Sequence, residues 1–244
     1  MGKKYGSIEY KWLAERGYNV LADKHQYDYS QSLFAKPETI QSVWVNAKAG
    51  TGKTTIATLI GAYLVERGDF DRIIYVRNAV SVRDLGFLPG GTKEKELPYM
   101  FPFIEAMDRV QPGLFEKWSA KEEKDENTKF RPKVHTLTSA FTRGITWDNA
   151  FIILDEFQNF DLMEAQTCLT RPTDNCKIVV IGSTAQNDNK KNKKLGFTPF
   201  EIYMKHYEGT SSAFHKLETN YRGWFSQHAD NIQDTIELLK SEEK

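Results

Sequence analysis

The segment Ala47-Lys48-Ala49-Gly50-Thr51-Gly52-Lys53-Thr54 constrains this chain more than any other. It follows the apolar run Val43-Trp44-Val45. It leads into residues 54–66, where apolar side chains recur at helical spacing until Gly68. A glycine-rich turn between a strand and a helix start is the context a phosphate-binding P-loop requires. Gly50 and Gly52 let the backbone curl so that successive N–H groups converge. The helix start adds positive potential at the same place. In such a loop Lys53 reaches the β and γ phosphates, the Thr54 hydroxyl ligates Mg²⁺, and Thr55 falls near the α phosphate. Ala47 stands where glycine usually opens the loop, a commonly tolerated variant.

The rest of the chain supplies a setting for that loop. Short, β-branched apolar runs recur at 72–76, 134–137, 151–154, 177–181 and 214–217. Continuous runs of this kind suit strands buried on both faces of a parallel sheet. Helical patterns at 162–169 and 224–239 lie among them. The alternation predicts an α/β fold, a central and mainly parallel sheet flanked by helices. An aromatic-rich stretch from Tyr10 to Tyr18 predicts one capping helix ahead of the sheet. We therefore expect an N-terminal capping segment over 1–28 and a single domain over 29–244 that ends in a C-terminal helix. The charged run 121–129 and the lysine-rich run 188–195 read as loops.

Composition narrows the class. Thirty-three basic residues balance thirty-three acidic ones, so any basic face must be local. No apolar run approaches the ~20 residues of a membrane span. The start MGKKYGSIEYKW lacks the apolar core of a signal peptide. Cys168 and Cys176 fit no zinc spacing and read as reduced thiols of a cytoplasmic protein. The five histidines are scattered and read as structural or surface residues.

Three further segments can complete a nucleotide site. Phe151-Ile152-Ile153-Leu154 runs into Asp155-Glu156, two carboxylates at a strand's carboxyl end, where open α/β sheets bind ligands. Beside a P-loop, Asp155 would hold the Mg²⁺ water shell and Glu156 would polarise the attacking water. Without that loop the pair would read as solvated acids. Gln186, in Gly182-Ser183-Thr184-Ala185-Gln186-Asn187-Asp188, either senses the γ phosphate or closes a polar turn. In Leu217-Glu218-Thr219-Asn220-Tyr221-Arg222, Arg222 is an arginine finger or a surface arginine, and Tyr221 can stack on a base.

Together these segments resemble the PhoH-like ATPases, which are similar to the first RecA-like domain of superfamily-one helicases. The resemblance rests on AGTGKT (49–54), LGFLPG (85–90) with Glu94-Lys95 and Pro98-Tyr99, NAFIILDEFQN (149–159) and LTR (169–171). It covers about residues 31–186, and LETNYR (217–222) also looks like a superfamily-one helicase motif. The resemblance implies a RecA-like P-loop NTPase with ATP and Mg²⁺ as cofactors. Ala49, Gly50, Thr51, Gly52, Lys53, Thr54 and Thr55 would surround the phosphates, with Thr54 and Asp155 at the metal. Glu156, Lys53, Gln186 and Arg222 would be catalytic. It further implies that Tyr221 stacks on adenine, that Arg222 contacts the γ phosphate and that Gln31 reads adenine. Three departures stand out. Ser183 replaces the usual Asp, which puts the water-positioning network in question. Lys48 replaces a P-loop Pro, and Arg77-Asn78 replaces Arg-Pro.

Helicases of this class close two RecA-like domains over ATP, and the stretch after Gln186 reads as too short for a second one. We expect neighbouring subunits of a homo-oligomeric ring, a hexamer by resemblance, to complete each site. Arg222, Arg171 or Arg143 would then act in trans. The resemblance implies RNA or single-stranded DNA as a partner and no membrane. Arg77, Arg83 and Lys190, Lys191, Lys193 and Lys194 are candidate phosphate contacts, against a solvated-loop reading of the lysines. Phe87, Tyr99 and Phe101 could stack on bases or pack in the core. Two other functions use the same motifs. A small-molecule P-loop kinase is disfavoured by Glu156, which suits water as nucleophile. An ATP-binding regulatory module with little turnover is favoured by Ser183.

Overall fold

The structure, a computed structural model, describes residues 8–78, 92–120, 132–139, 142, 144–184, 196–230 and 232–242. All six apolar runs form strands: β1 (Ser42–Ala47), β2 (Arg72–Arg77), β3 (Val134–Thr138), β4 (Ala150–Asp155), β5 (Lys177–Gly182) and β6 (Ser212–Leu217). They make one sheet in the order β3-β2-β4-β5-β1-β6, and every neighbouring pair is parallel. This is a RecA-like arrangement, with β5 inserted between the P-loop strand β1 and the carboxylate strand β4.

Both faces of the sheet are covered, which is why the strands read as continuous apolar runs. Alternate residues of a strand point to opposite faces. Val43, Val45, Tyr75, Phe151, Ile153, Val179 and Ile181 join one core; Trp44, Val76, Ile152, Leu154 and Val180 join the other. The first core holds α1 (Ile8–Glu15), α2 (Lys24–Phe34), α3 (Lys53–Arg67), α4 (Thr92–Val110) and α5 (Leu114–Ser119). α3 buries Ile56, Ala57, Leu59, Ile60, Ala62, Leu64 and Val65. A helix apolar around most of its circumference belongs inside, and α3 lies between the sheet, α2 and α4. The second core holds the 3-10 turn Phe157–Asn159, α6 (Leu162–Leu169) and α7 (Pro199–His206). Trp44 sits at its centre, edge-on to Phe157 at 6.0 Å between ring centroids. α6 and α7 both start with capping boxes, Asp161 with Glu164 and Thr198 with Glu201.

Two expectations change. The single C-terminal helix expected at 224–239 is two helices, α8 (Trp224–Asp230) and α9 (Ile232–Glu242). The position between them, Asn231, lies outside the described residues. At the other end, α2 runs straight through position 28, the expected limit of the capping segment. Leu13, Val20, Tyr29 and Leu33 are all buried in the first core, so this segment and the sheet share one interior. No helix among the described residues is long and apolar enough to cross a membrane.

Candidate functional site

The P-loop lies between β1 and α3, as its sequence requires. Gly50 and Gly52 take left-handed φ values of 77° and 81°, and Gly52 caps α3. A side chain at Gly50 would be strained and would also collide, because its Cβ would lie 2.4 Å from Asn220 Oδ1. Lys53 Nζ donates to the Lys48 carbonyl at 3.2 Å, across the loop. The Thr51 hydroxyl donates to the same oxygen at 3.2 Å. α2 braces the loop from the N-terminal side. Gln26 Nε2 donates to the Thr51 carbonyl at 3.0 Å, and the Tyr29 hydroxyl donates to the Lys53 carbonyl at 3.3 Å.

The carboxylates of β4 meet the loop. Thr54 Oγ1 lies 3.2 Å from Asp155 Oδ2, although 101 positions separate the two residues. Asp155 is buried, and the Tyr75 hydroxyl donates to it at 2.7 Å. Burial, then the nearby Asp155 charge, pushes the Tyr75 hydroxyl well above its ordinary pKa, so it remains a donor. The residues fit Mg²⁺. A hard hydroxyl and a hard carboxylate face each other. Mg²⁺ is commonly held in this way, by one or two protein oxygens together with substrate phosphates and water.

Glu156 follows with a left-handed backbone, φ 54° and ψ 40°. For a residue that is not glycine this costs about 1–3 kcal/mol and concentrates at functional positions. Its carboxylate accepts from Gln158 Nε2 at 2.7 Å and lies 3.9 Å from Arg77 Nη2. Arg77 also donates to the Tyr99 carbonyl at 2.8 Å, so its guanidinium is turned inward to Glu156.

The Asn220-Tyr221-Arg222 turn packs on the same loop. The Tyr221 N–H donates to the Gly50 carbonyl at 2.9 Å, and Arg222 Cγ would lie 3.1 Å from a Cβ at Gly50. Arg222 thus sits beside the P-loop of its own chain. The Tyr221 hydroxyl donates to Asp23 at 2.7 Å, and Asp23 also caps α2 by accepting from the His25 and Gln26 N–H groups. Partial burial, then the bond to Asp23, pushes the Tyr221 hydroxyl up to about 12. On Asp23, partial burial pushes upward, but the bonds from Tyr221 and Gln26 outweigh it and hold the carboxyl low.

Ala49, Gly50, Thr51, Gly52, Lys53, Thr54, Asp155, Glu156, Tyr221 and Arg222 therefore converge at the carboxyl edge of the sheet, with Thr55 in the first turn of α3. Gln31 is not brought to the loop. Its amide donates to the Tyr27 hydroxyl on the exposed side of α2. Gln26 holds the place by the loop, and residues five apart lie about 140° around a helix, so both cannot face it. The signal for Gln26 was present as Asp23-x-x-Gln26, the pattern of a helix start. Phe101 is exposed, and Tyr99 is partly buried. Arg171 lies between α6 and β5, at the opposite edge of the sheet, where its Nε donates to the Thr167 carbonyl at 3.0 Å. Gln186, Arg83, Phe87, Arg143, LGFLPG and Lys190, Lys191, Lys193 and Lys194 lie outside the described residues.

The profile of the family described as PhoH-like protein matches residues 21–232. A PhoH-like protein of Synechocystis sp. is 32% identical over 168 residues, covering 68% of this chain and 48% of that protein. A PhoH-like protein of Bacillus subtilis is 33% identical over 164 residues, covering 67% of this chain and 49% of its own length. Protein PhoH of Escherichia coli K12 is 34% identical over 152 residues, 62% of this chain and 41% of that protein. The chain thus spans about half the length of these curated relatives. A crystal structure of Bacteroides sp Pif1 in complex with ADP-AlF4 aligns over 93% of this chain and 45% of its own, at 16% identity and a TM-score of 0.31, too distant a likeness to carry functional inference.

Proposed function

This chain belongs to the PhoH-like family, and on that premise we propose that it binds ATP with Mg²⁺ and hydrolyses it at the P-loop. The observation that carries the proposal is the Thr54 hydroxyl facing the buried Asp155 carboxylate at 3.2 Å, with Glu156 next in the chain. Thr54 and Asp155 would hold Mg²⁺, which supplies charge neutralisation at the β and γ phosphates. Lys53 exchanges the Lys48 carbonyl for phosphate oxygen. Glu156 accepts a proton from the attacking water as its oxygen bonds the γ phosphorus and the bond to the departing ADP breaks, a role worth about 10²–10⁴ in rate for a general base. Tyr221 and Gln26 flank the adenine. Arg222 stabilises charge on the γ phosphate from its place beside Gly50 of the same chain.

The finer reading is an oligomeric, helicase-like ATPase of the cytoplasm acting on RNA or single-stranded DNA. Nucleic acid is supported by the resemblance to superfamily-one helicases, with Phe101 exposed for stacking. Assembly is supported by the exposed apolar side chains of α8 and α9, directly after the Tyr221-Arg222 turn.

Phosphate release and nucleotide affinity test the proposal, with and without single-stranded RNA or DNA. Wild type is expected to release phosphate. Lys53→Ala should lose nucleotide affinity while keeping its melting temperature, because Lys53 serves the phosphates and not the core. A folded Lys53→Ala protein that binds ATP like wild type would refute the site. Binding without phosphate release in wild type would leave the regulatory reading in its place.

A further inference from the structure

Neighbouring strand ends are tied together along the carboxyl edge of the sheet by side chains. Asn46 of β1 bonds Thr184 beyond β5 twice: its Nδ2 donates to Thr184 Oγ1 at 3.0 Å, and its Oδ1 accepts from the Thr184 N–H at 3.2 Å. Gln158 ties β5 to β4, accepting from the Ser183 N–H at 3.1 Å and donating to Glu156 Oε2 at 2.7 Å. Arg77 of β2 stands on the other side of Glu156.

Gln158 is fully buried, and its amide can face only one way. The Ser183 N–H is a donor and must meet the amide oxygen. The Glu156 carboxylate offers acceptors and must meet the NH₂ group. Turning the amide over would leave a buried donor unpaired, which is costly. The Ser183 end is itself fixed, because the next residue is bonded twice to Asn46. The Glu156 side chain, by contrast, is 26% exposed, and its contact with Arg77 is long. Without Gln158 its carboxylate would be loosely held.

We propose that Gln158 is a positioning residue for Glu156. It engages Oε2 and anchors it to the end of β5, so that Oε1 is presented to the attacking water. This inference rests on the ATPase reading above.

The discriminating variants are Gln158→Glu and Gln158→Met. Gln158→Glu keeps an acceptor for the Ser183 N–H, removes the NH₂ group that faces Glu156 and sets a second carboxyl beside it. Gln158→Met removes the same donor without adding charge, and in that variant a merely structural Gln158 would leave turnover near wild type. A positioning Gln158 loses kcat by about tenfold or more, within the range of a general base, with KM and nucleotide affinity unchanged. Gln158→Met also covers failure of Gln158→Glu to fold. A melting cycle on the nucleotide-free protein reads the contact apart from activity. Gln158→Glu should lower the melting temperature. Glu156→Gln combined with Gln158→Glu re-forms an amide–carboxylate bond with exchanged partners and should recover it, while hydrolysis stays lost. Wild-type kcat in a folded Gln158 variant, or additive melting shifts, would overturn this inference alone. Absence of phosphate release in wild type would bring down the ATPase reading and this inference with it.

Discussion

Asp155 and Glu156 are adjacent in sequence and opposite in circumstance. Asp155 is buried and fixed by Tyr75, the Thr54 hydroxyl and the Glu156 N–H. Glu156 is partly exposed on a left-handed backbone, steered by Gln158. A fixed carboxylate suits a metal position, and a steered one suits proton transfer. Glu156→Gln should therefore keep Mg·ATP affinity and lose about 10²–10⁴ in hydrolysis, because an amide cannot take the proton. Trapping of labelled ATP on the variant, with phosphate release followed in parallel, measures both. Hydrolysis at the wild-type rate would remove Glu156 from the mechanism.

Among the elements, β5 joins the site to the far end of the fold. The residue that follows it, Ser183, bonds Gln158, and its first residue, Lys177, is fully buried. Lys177 Nζ donates to the Ser32 carbonyl in the last turn of α2 at 3.1 Å, and to the Ile40 carbonyl. A neutral amine still has two N–H groups for these two acceptors. Burial lowers the amine from its ordinary 10.5 to about 7, with Glu38 pulling weakly upward. Between those values the unfolded chain holds more of this proton than the folded one, so stability rises with pH. Below pH 7 the penalty is fully present. Melting temperature should climb from pH 7 to about 9, short of tyrosine titration. Lys177→Met should melt lower throughout, because two carbonyls lose their donor, and should lack that climb. An equal climb in both proteins would assign it to other groups.

At the scale of the whole molecule, the C-terminal helices leave apolar side chains in water. Trp224 is 73% exposed and Phe225 80%, with Ile232, Leu238 and Leu239 also exposed. Large exposed apolar groups near a site mark an interface. If it is the ring interface proposed above, turnover per chain should rise with protein concentration by mass action. Trp224→Ser with Phe225→Ser should lower the assembly mass in light scattering with little change in melting temperature, because neither side chain is in the core. Concentration-independent turnover by a confirmed monomer would refute assembly. The placement of Arg222 beside its own P-loop adds a sharper expectation. Arg222→Ala mixed with Lys53→Ala should show no rescue, since an arginine acting in cis cannot be supplied by a neighbour.

The sequence by itself determined the sheet, the P-loop and the two carboxylates. Apolar runs report burial on both faces of a parallel sheet, and a glycine-rich turn before a helix reports a phosphate loop wherever the chain places it. These are local signals, legible within a few residues. Gln158, Gln26 and the cis position of Arg222 were decided only by the tertiary structure. Gln158 reads as one more residue of Asp155-Glu156-Phe157-Gln158 until β5 arrives beside β4 and brings the Ser183 N–H to its amide. Gln26 and Gln31 are both glutamines on one helix, and the packing of α2 on the loop alone selects between them. Arg222 meets Gly50 because β6 pairs with β1, a contact across more than 170 residues. Periodicity describes which side of an element is buried; which distant side chain it meets is set by strand order, which no local pattern encodes.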